Sequence, residues 1–331
     1  MSMRSGMYIY TYACHEDEES LCLMELRSLF GSGAAAAEAD CRMHDSGSAR
    51  IFHSELAVDP SRSPFLKERI EVLSEGDSPQ EIAEWLQSGN VQLGRDVTFK
   101  VRFVKTNDLD GDRKIDYSGQ RAIERDIGRP IRGKADMNRP DRLFGIVPYR
   151  GRWYFGACAD NEAVWLRHIE KPQQYTMALP ARTARAIVNI AVPDPSRARV
   201  IDPCCGIGTV LVEALSMGIA IVGRDINPLV VRGARANLAH FGLNAEVALG
   251  SIADVTEHYD VAIVDMPYNI VSKVSREDSM TILRHARRIA GRILVIAIEP
   301  IDDQLADAGF TVLDGCVARK SSFTRHIRLC Q

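Results

Sequence analysis

A short polar and aromatic segment follows an apolar run near residue 264. Asp265, Met266, Pro267 and Tyr268 come directly after the run 261–264, which has the composition of a buried parallel strand. The Asp265 carboxylate and the Met266 main-chain carbonyl can accept hydrogen bonds from an exocyclic amine, while Tyr268 can stack on a planar ring. The segment therefore predicts a site for an aromatic ring that carries an amine. A strand-end turn with no ligand is the alternative interpretation of these four residues taken alone.

A glycine-rich turn upstream is the second candidate binding segment. From residue 199 the pattern predicts a short strand, a turn containing Gly206 and Gly208, and a helix over 210–217. Glycine at these positions allows the backbone to approach a ligand closely. The dinucleotide fingerprint has a small residue where this chain has Leu211, which disfavours a nicotinamide-dependent dehydrogenase. Asp225 ends the next predicted strand, where a carboxylate can bind both hydroxyl groups of a ribose.

Taken together, segments 202–209 and 265–268, with Glu213 between them, resemble the Rossmann-type RNA guanine-N2 methyltransferases. That family uses S-adenosylmethionine and usually carries an N-terminal THUMP domain. Its usual tetrapeptide is Asp-Pro-Pro-Tyr, and here Met266 replaces the first proline, although its carbonyl remains and Pro267 still favours an extended Met266. A second departure is Ser251, where many relatives carry an acid that binds the adenine amine; Asp254 is a substitute acceptor.

The resemblance implies a set of site residues. Catalysis is assigned to Asp265, Met266, Pro267 and Tyr268. Cofactor binding is assigned to Tyr175, Thr176, Asp202, Cys204, Gly206, Gly208, Thr209, Asp225, Ile226, Ser251, Ile252 and Asp265. Contacts to the base or the phosphates are assigned to Asn269, Lys273, Arg319 and Arg325. No metal is implied.

Composition sets the broad class. With 331 residues, 26% charged and 46% hydrophobic, the chain has the composition of a globular protein of two or three domains. No run approaches the roughly 20 apolar residues of a membrane span, and no signal peptide is expected. Eight cysteines without a CxxC pair favour reduced thiols and a cytoplasmic location. The net charge of −3 hides a basic segment, 113–152, with eleven Lys or Arg against five Asp or Glu, which is typical of a phosphate-facing surface.

The order of predicted elements gives four segments. We expect a ferredoxin-like α+β domain over 1–75, a THUMP-like RNA-binding domain over 76–160, a linker over 161–180, and a Rossmann-like methyltransferase domain over 181–331. The last would be an α/β fold with a doubly wound, mostly parallel sheet, whose strands lie near 200, 221, 247, 262, 295 and 312, ending in an antiparallel hairpin with 323–329. Residues 64–73 are predicted to be helical.

The function expected from these observations is methyl transfer from S-adenosylmethionine to the exocyclic N2 amine of a guanosine, most simply in tRNA. The predicted amine site does not by itself distinguish this amine from adenine N6 or cytosine N4, so a DNA or RNA amino-methyltransferase is one alternative. A noncatalytic RNA-binding protein that keeps the fold is another. The expected partner is RNA, with no membrane and no obligate protein partner, and the chain is expected to act as a monomer.

Overall fold

A computed structural model describes residues 6–31, 50–106, 114–175, 178–196, 198–267, 275–320 and 323–331. The contacts divide the chain into two compact units. The first contains residues 1–15, 30–61 and 65–162, and the second contains residues 16–29, 62–64 and 163–331. In the described residues no helix is both long and apolar enough to cross a membrane.

The regular elements follow the chain in this order. The strands are β1 (Tyr8–Tyr12), β2 (Arg50–Ser54), β3 (Leu66–Gly76), β4 (Thr98–Phe103), β5 (Lys134–Ala135), β6 (Arg142–Tyr149), β7 (Arg152–Asp160), β8 (Val200–Asp202), β9 (Ile221–Asp225), β10 (Val247–Leu249), β11 (Tyr259–Asp265), β12 (Ala290–Ala297), β13 (Val312–Lys320) and β14 (Phe323–Cys330). The α-helices are α1 (Glu19–Phe30), α2 (Pro79–Gln87), α3 (Tyr117–Gly128), α4 (Ala181–Ala191), α5 (Thr209–Ser216), α6 (Pro228–His240), α7 (Arg276–Ile289) and α8 (Asp302–Asp307).

One sheet organises the first unit. Among the described residues its strand order is β2-β1-β3-β7-β6-β4-β5. Helices α2 and α3 cover one face of this sheet and share a core with it, in which Ile82, Ile127 and Phe155 are fully buried. The predicted domain boundary at residues 75 and 76 falls inside β3, and the division of this region into ferredoxin-like and THUMP-like parts stays a prediction.

The helix predicted over 64–73 is wrong, because this segment forms β3. Ile70 and Leu73 have helical spacing, but Leu73 is 38% exposed while Ile70 and Ser74 are buried on the opposite face. The pairing partners explain the difference. β3 is antiparallel to β1 on one side and to β7 on the other, so its hydrogen bonds come from strands that are distant in the sequence.

The second unit contains the predicted doubly wound sheet. Its order within the described residues is β10-β9-β8-β11-β12-β14-β13. The ladders from β10 through β12 are parallel, whereas β14 is antiparallel to both β12 and β13. The α/β fold class with a C-terminal antiparallel hairpin is therefore confirmed. The direction of winding reverses between β8 and β11, and open α/β sheets bind their ligands at the carboxyl ends of the strands at such a point.

A buried polar network ties α1 to α4 inside this unit. The Glu25 carboxylate is fully buried and accepts hydrogen bonds from Ser63 Oγ at 2.5 Å and Asn189 Nδ2 at 2.6 Å. Arg62 Nε donates to the Asn189 side-chain oxygen at 2.9 Å. Burial raises the pKa of Glu25 to about 7, and the hydrogen bonds and nearby arginines oppose that shift only in part.

This carboxyl group should make stability depend on pH. Because its pKa is higher in the folded than in the unfolded chain, the folded state holds the proton more tightly, and stability falls as pH rises from about 4.5 through about 7. We expect Glu25→Gln to remove that loss and to stabilise the protein by about 1–3 kcal/mol at pH 8, with little change at pH 4.5. Thermal unfolding at the two pH values tests this, with the exposed Glu84→Gln as a control. A shift in Tm of equal size at both pH values would contradict it.

Candidate active site

A cavity of about 390 Å³ lies at the carboxyl edge of the second sheet. Its walls come from the loops that follow β8, β9 and β11, together with Tyr175, Ala178 and Leu179. It is lined by Tyr175, Ala178, Leu179, Asp202, Cys204, Cys205, Gly206, Ile207, Thr209, Val210, Asp225, Ile226, Asn227, Val230, Asp265, Met266 and Pro267. The two segments singled out in the sequence, although separated by some sixty residues, thus face one space.

The glycine-rich turn forms one wall because its backbone adopts conformations that other residues avoid. Gly206 has φ +53° and Gly208 has φ +79°, both in the left-handed region. Gly208 is also the residue that caps α5, and a Cβ at this position would lie 3.1 Å from the Cβ of Ala234. The turn therefore requires glycine at 208 both for its backbone angles and for the close approach of α6.

Asp225 holds this turn against the end of β9. Its Oδ2 accepts a hydrogen bond from the Gly206 N–H at 2.9 Å, and its Oδ1 accepts one from the Asn227 N–H at 2.9 Å. Each carboxylate oxygen has a second lone pair, and the side chain is only half-buried. The carboxylate is therefore anchored by the backbone and can still accept hydrogen bonds from a ligand in the cavity.

Asp202 lies at the end of β8 and is almost completely buried, with 1% exposure. Its Oδ1 accepts a hydrogen bond from the Cys204 N–H at 3.2 Å. Burial raises the pKa of Asp202 well above its usual value, and the negative charges of Asp265 and Asp225 add to the effect. The same causes raise the pKa of the Cys204 thiol, which therefore stays neutral at this wall.

Asp265 ends β11 and faces the cavity. Its Oδ1 is buried and has no hydrogen-bond partner among the described residues. Burial raises the pKa of Asp265 to about 7, while the positive charge of Arg325 opposes the shift. The Thr209 hydroxyl lines the same cavity and is also buried without a partner in the described part of the chain. Two buried polar groups with unused hydrogen-bonding capacity indicate a ligand that supplies their partners.

Met266 is the residue at which the chain departs from the Asp-Pro-Pro-Tyr pattern of the family that it resembles. Its N–H donates to the Ile296 carbonyl oxygen at 2.8 Å, which continues the ladder between β11 and β12 past Asp265. Its side chain is 5% exposed and belongs to the core beneath α7. Methionine thus fills core volume here, and the strand-end backbone is fixed by a hydrogen bond that proline could not donate.

The other predicted cofactor residues divide into two groups. Tyr175 and Ile226 line the cavity with 54% and 73% exposure. Ser251 and Ile252 are not among the described residues that line it: the Ser251 hydroxyl accepts a hydrogen bond from the Ala253 N–H at 3.2 Å, and Ile252 is packed in the core. Their roles stay predictions.

The predicted substrate residues are also placed unevenly. Arg325 is 7% exposed, while Arg319 is exposed to solvent. Thr176, Tyr268, Asn269 and Lys273 lie outside the described residues, so their predicted roles are neither supported nor weakened by the structure. Sequence reasoning did not single out Asn227, which lines the cavity and caps α6 through its side-chain oxygen. Its signal was the Asn-Pro start of a helix directly after Asp225.

The charge of the lining restricts the ligand. Among the described lining residues are three carboxylic acids, Asp202, Asp225 and Asp265, and no lysine, arginine or histidine. Such a cavity attracts a cation and repels a pyrophosphate. No cluster of three or more metal-ligating side chains was found in the described ranges.

The Gly-rich turn at the switch point, the acid at the end of the second strand and the C-terminal antiparallel hairpin are the features of a Rossmann-like methyltransferase fold. Residues 170–287 match the family described as the RMKL-like methyltransferase domain. The predicted relationship to guanine-N2 methyltransferases is confirmed by this match together with the similar proteins described next.

Three relatives illustrate the similarity. The tRNA (guanine(10)-N2)-dimethyltransferase of Methanothermobacter thermautotrophicus is 26% identical over 326 residues, which is 84% of this chain and 96% of that protein. The enzyme of the same name from Pyrococcus abyssi is 28% identical over 44% of this chain and 47% of its own length. The U6 snRNA (guanine-N(2))-methyltransferase THUMPD2 of Mus musculus is 31% identical over 40% of this chain and 27% of its own length. The solved structure of TrmN from Thermus thermophilus is 14% identical over 98% of this chain and 99% of that chain, with a TM-score of 0.48, a structural similarity too low to assign a function.

Proposed function

We propose that this protein transfers a methyl group from S-adenosylmethionine to the exocyclic N2 amine of a guanosine in RNA, and that the RNA is a tRNA. The observation that carries the proposal is the unpartnered, buried Asp265 oxygen in the wall of a cavity whose only charged groups, among its described lining residues, are acidic. The similarity to a tRNA guanine-N2 dimethyltransferase over most of the chain supports the choice of base and polymer.

The lining residues fit S-adenosylmethionine, which carries a positive sulfonium and a positive ammonium group. Asp202 would hold the ammonium group, and Asp225 would accept hydrogen bonds from the ribose hydroxyls. Exposed Ile226 would pack against the adenine ring. The Gly206–Gly208 turn would leave room for the methionine portion, and the Thr209 hydroxyl would supply a further hydrogen bond. When bound, this cofactor supplies an electrophilic methyl group on a cationic sulfur.

Asp265 provides a hydrogen-bond acceptor that can orient and activate the amine. A base amine is a poor nucleophile because its lone pair is delocalised into the ring. Hydrogen bonds from the two amine protons to Asp265 and to the Met266 carbonyl would turn the lone pair toward the methyl carbon. With the cofactor bound, the amine nitrogen would gain the methyl group as the C–S bond broke, leaving the bonding pair on a neutral sulfur. Asp265 would take the proton that the methylated nitrogen releases, so catalysis would rest on positioning and electrostatics with one proton acceptor.

A basic cavity in the first unit supports an RNA substrate. It has a volume of about 330 Å³, and five cationic side chains line it against two acidic ones. The cations are Lys67, Lys100, Arg102, Lys105 and Arg121, and the acids are Glu68 and Glu124. A lining with this excess of positive charge suits phosphate groups. We assign RNA capture to this unit, in keeping with the THUMP-like prediction for residues 76–160.

For the oligomeric state, we propose that the protein acts as a monomer without an obligate protein partner. A cytoplasmic location accords with the seven cysteines in the described residues, which are all free thiols.

The polymer preference is tested by offering the purified protein methyl-labelled S-adenosylmethionine with unmodified total tRNA, ribosomal RNA or genomic DNA. We expect label in tRNA above the other polymers. Asp260→Asn is the matched control for a substitution of Asp265. Asp260 is an exposed acid at the opposite end of β11, and its replacement should leave methyl transfer intact. Label in DNA alone would replace the proposal with an amino-methyltransferase of DNA, and no label in any polymer would favour a noncatalytic RNA-binding protein.

A further inference from the structure

Arg325 is a buried cation with one unsatisfied donor in the described part of the chain. It lies on β14 with 7% exposure, and its Nε is buried with no hydrogen-bond partner among the described residues. Arg328, three residues along the same strand, is different: its guanidinium donates to both Asp302 oxygens, at 2.7 and 2.9 Å. Burying a guanidinium N–H without a partner costs free energy, so the position of Nε indicates a ligand that accepts its hydrogen bond.

The strand register places Arg325 on the same face of the sheet as Asp265. Asp265 pairs with Ile296 on β12, and Ile296 pairs with Ile327 on β14, so these three side chains share a face. Arg325 precedes Ile327 by two residues and therefore shares this face as well. Since β14 runs antiparallel to β12, Arg325 lies beyond the carboxyl end of β12, at the edge of the sheet that also carries the cavity, although it is not among the described lining residues.

The backbones of Arg325 and Asp265 are two strand spacings apart, about 10 Å, and are offset by two residues along the strand, about 7 Å, which gives a separation of about 12 Å. Each side chain has a buried polar atom that lacks a partner in the described residues, one a hydrogen-bond donor and the other an acceptor. The positive charge of Arg325 is close enough to lower the pKa of Asp265. A ligand placed between them would need hydrogen-bond donors on the edge that faces Asp265 and acceptors on the edge that faces Arg325.

Guanine has this arrangement. Its N2 amine donates hydrogen bonds on one side, and O6 and N7 accept them on the other, where the planar fork of an arginine forms two parallel bonds. Adenine offers its amine but carries no carbonyl oxygen for the fork. Hydrogen bonding to Asp265 alone does not discriminate between guanine and adenine, because both bases carry an exocyclic amine.

We propose that Arg325 is the residue that selects guanine, donating hydrogen bonds to O6 and N7 of the base whose N2 amine is bound by Asp265. This inference rests on the proposed function, since it assigns the second recognition contact of the same site. It makes Arg325 a specificity-determining residue and excludes a role limited to balancing the charge of Asp265.

The test compares Arg325→Lys and Arg325→Gln with the wild type. Lysine keeps the positive charge but has no planar fork, so we expect both variants to lose about 10- to 100-fold in kcat/KM for tRNA methylation. Affinity for S-adenosylhomocysteine by calorimetry and Tm should stay at their wild-type values. Arg328→Gln, on the opposite face of the same strand, serves as the control and should keep wild-type kcat/KM.

Three results would overturn the inference. Wild-type activity in Arg325→Lys would mean that the charge alone suffices. Loss of Tm and of S-adenosylhomocysteine affinity in both variants would mean that Arg325 supports the fold. A wild-type product other than a methylated guanosine would overturn the proposed function together with this inference, whereas the first two results leave the proposed function standing.

Discussion

Asp265→Asn is expected to reduce methyl transfer by about a thousandfold while leaving the affinity for S-adenosylhomocysteine within about threefold of the wild type. Asparagine preserves the size of the side chain but removes the negative charge and the proton acceptor. S-adenosylhomocysteine is the appropriate probe because its neutral sulfur makes its affinity less sensitive to a lost carboxylate than that of the cationic cofactor. Calorimetry and single-turnover transfer measure the two quantities separately.

The pH profile provides a second readout of the same residue. Only the deprotonated carboxylate can accept the amine proton, and burial raises the pKa of Asp265 to about 7. We therefore expect kcat/KM of the wild type to rise with pH through about 7 and to level off above it, and the residual activity of Asp265→Asn to lack this rise. Parallel loss of transfer, S-adenosylhomocysteine affinity and Tm in the variant would indicate a folding defect and contradict the catalytic assignment.

Asp225→Ala is expected to weaken binding of S-adenosylhomocysteine by about 10- to 100-fold. The variant loses the acceptor for the ribose hydroxyls and also the two backbone hydrogen bonds that hold Gly206 and Asn227. Asp225→Asn separates the two contributions, because the amide oxygen keeps one backbone contact but carries no charge. Calorimetry with both variants measures the effect, and affinity unchanged from the wild type would contradict the ribose role.

Much of this site could be predicted from the sequence because its signals are local. Gly206 and Gly208 mark a turn that needs left-handed backbone, and Asp225 and Asp265 each end a short, largely apolar segment that predicts a buried strand. Since parallel strands end at one edge of a sheet, the order of these signals sufficed to bring the acids together.

The parts that could not be predicted depend on distant partners. The sequence of 64–73 predicts a helix, whereas the structure has β3 there, because the pairing of β3 with β1 and β7 is not encoded in its own residues. The surroundings of Ser251 and Ile252 also depend on the folded chain: Ser251 caps the short turn over 252–254 and Ile252 packs in the core, while their cofactor roles stay predictions. The burial of Arg325, and the lack of a partner for its Nε among the described residues, depend on the pairing of β14 with strands distant in the sequence.

The most direct test of the proposed reaction is the identity of the methylated nucleoside. tRNA labelled by the wild-type protein is digested to nucleosides and separated by chromatography with mass detection, beside the same reaction with Asp265→Asn. We predict that the label migrates with N2-methylguanosine or N2,N2-dimethylguanosine in the wild-type digest and is absent from the variant digest. Label in N6-methyladenosine or N4-methylcytidine would contradict the assignment of the base, and equal label in both digests would contradict the assignment of Asp265.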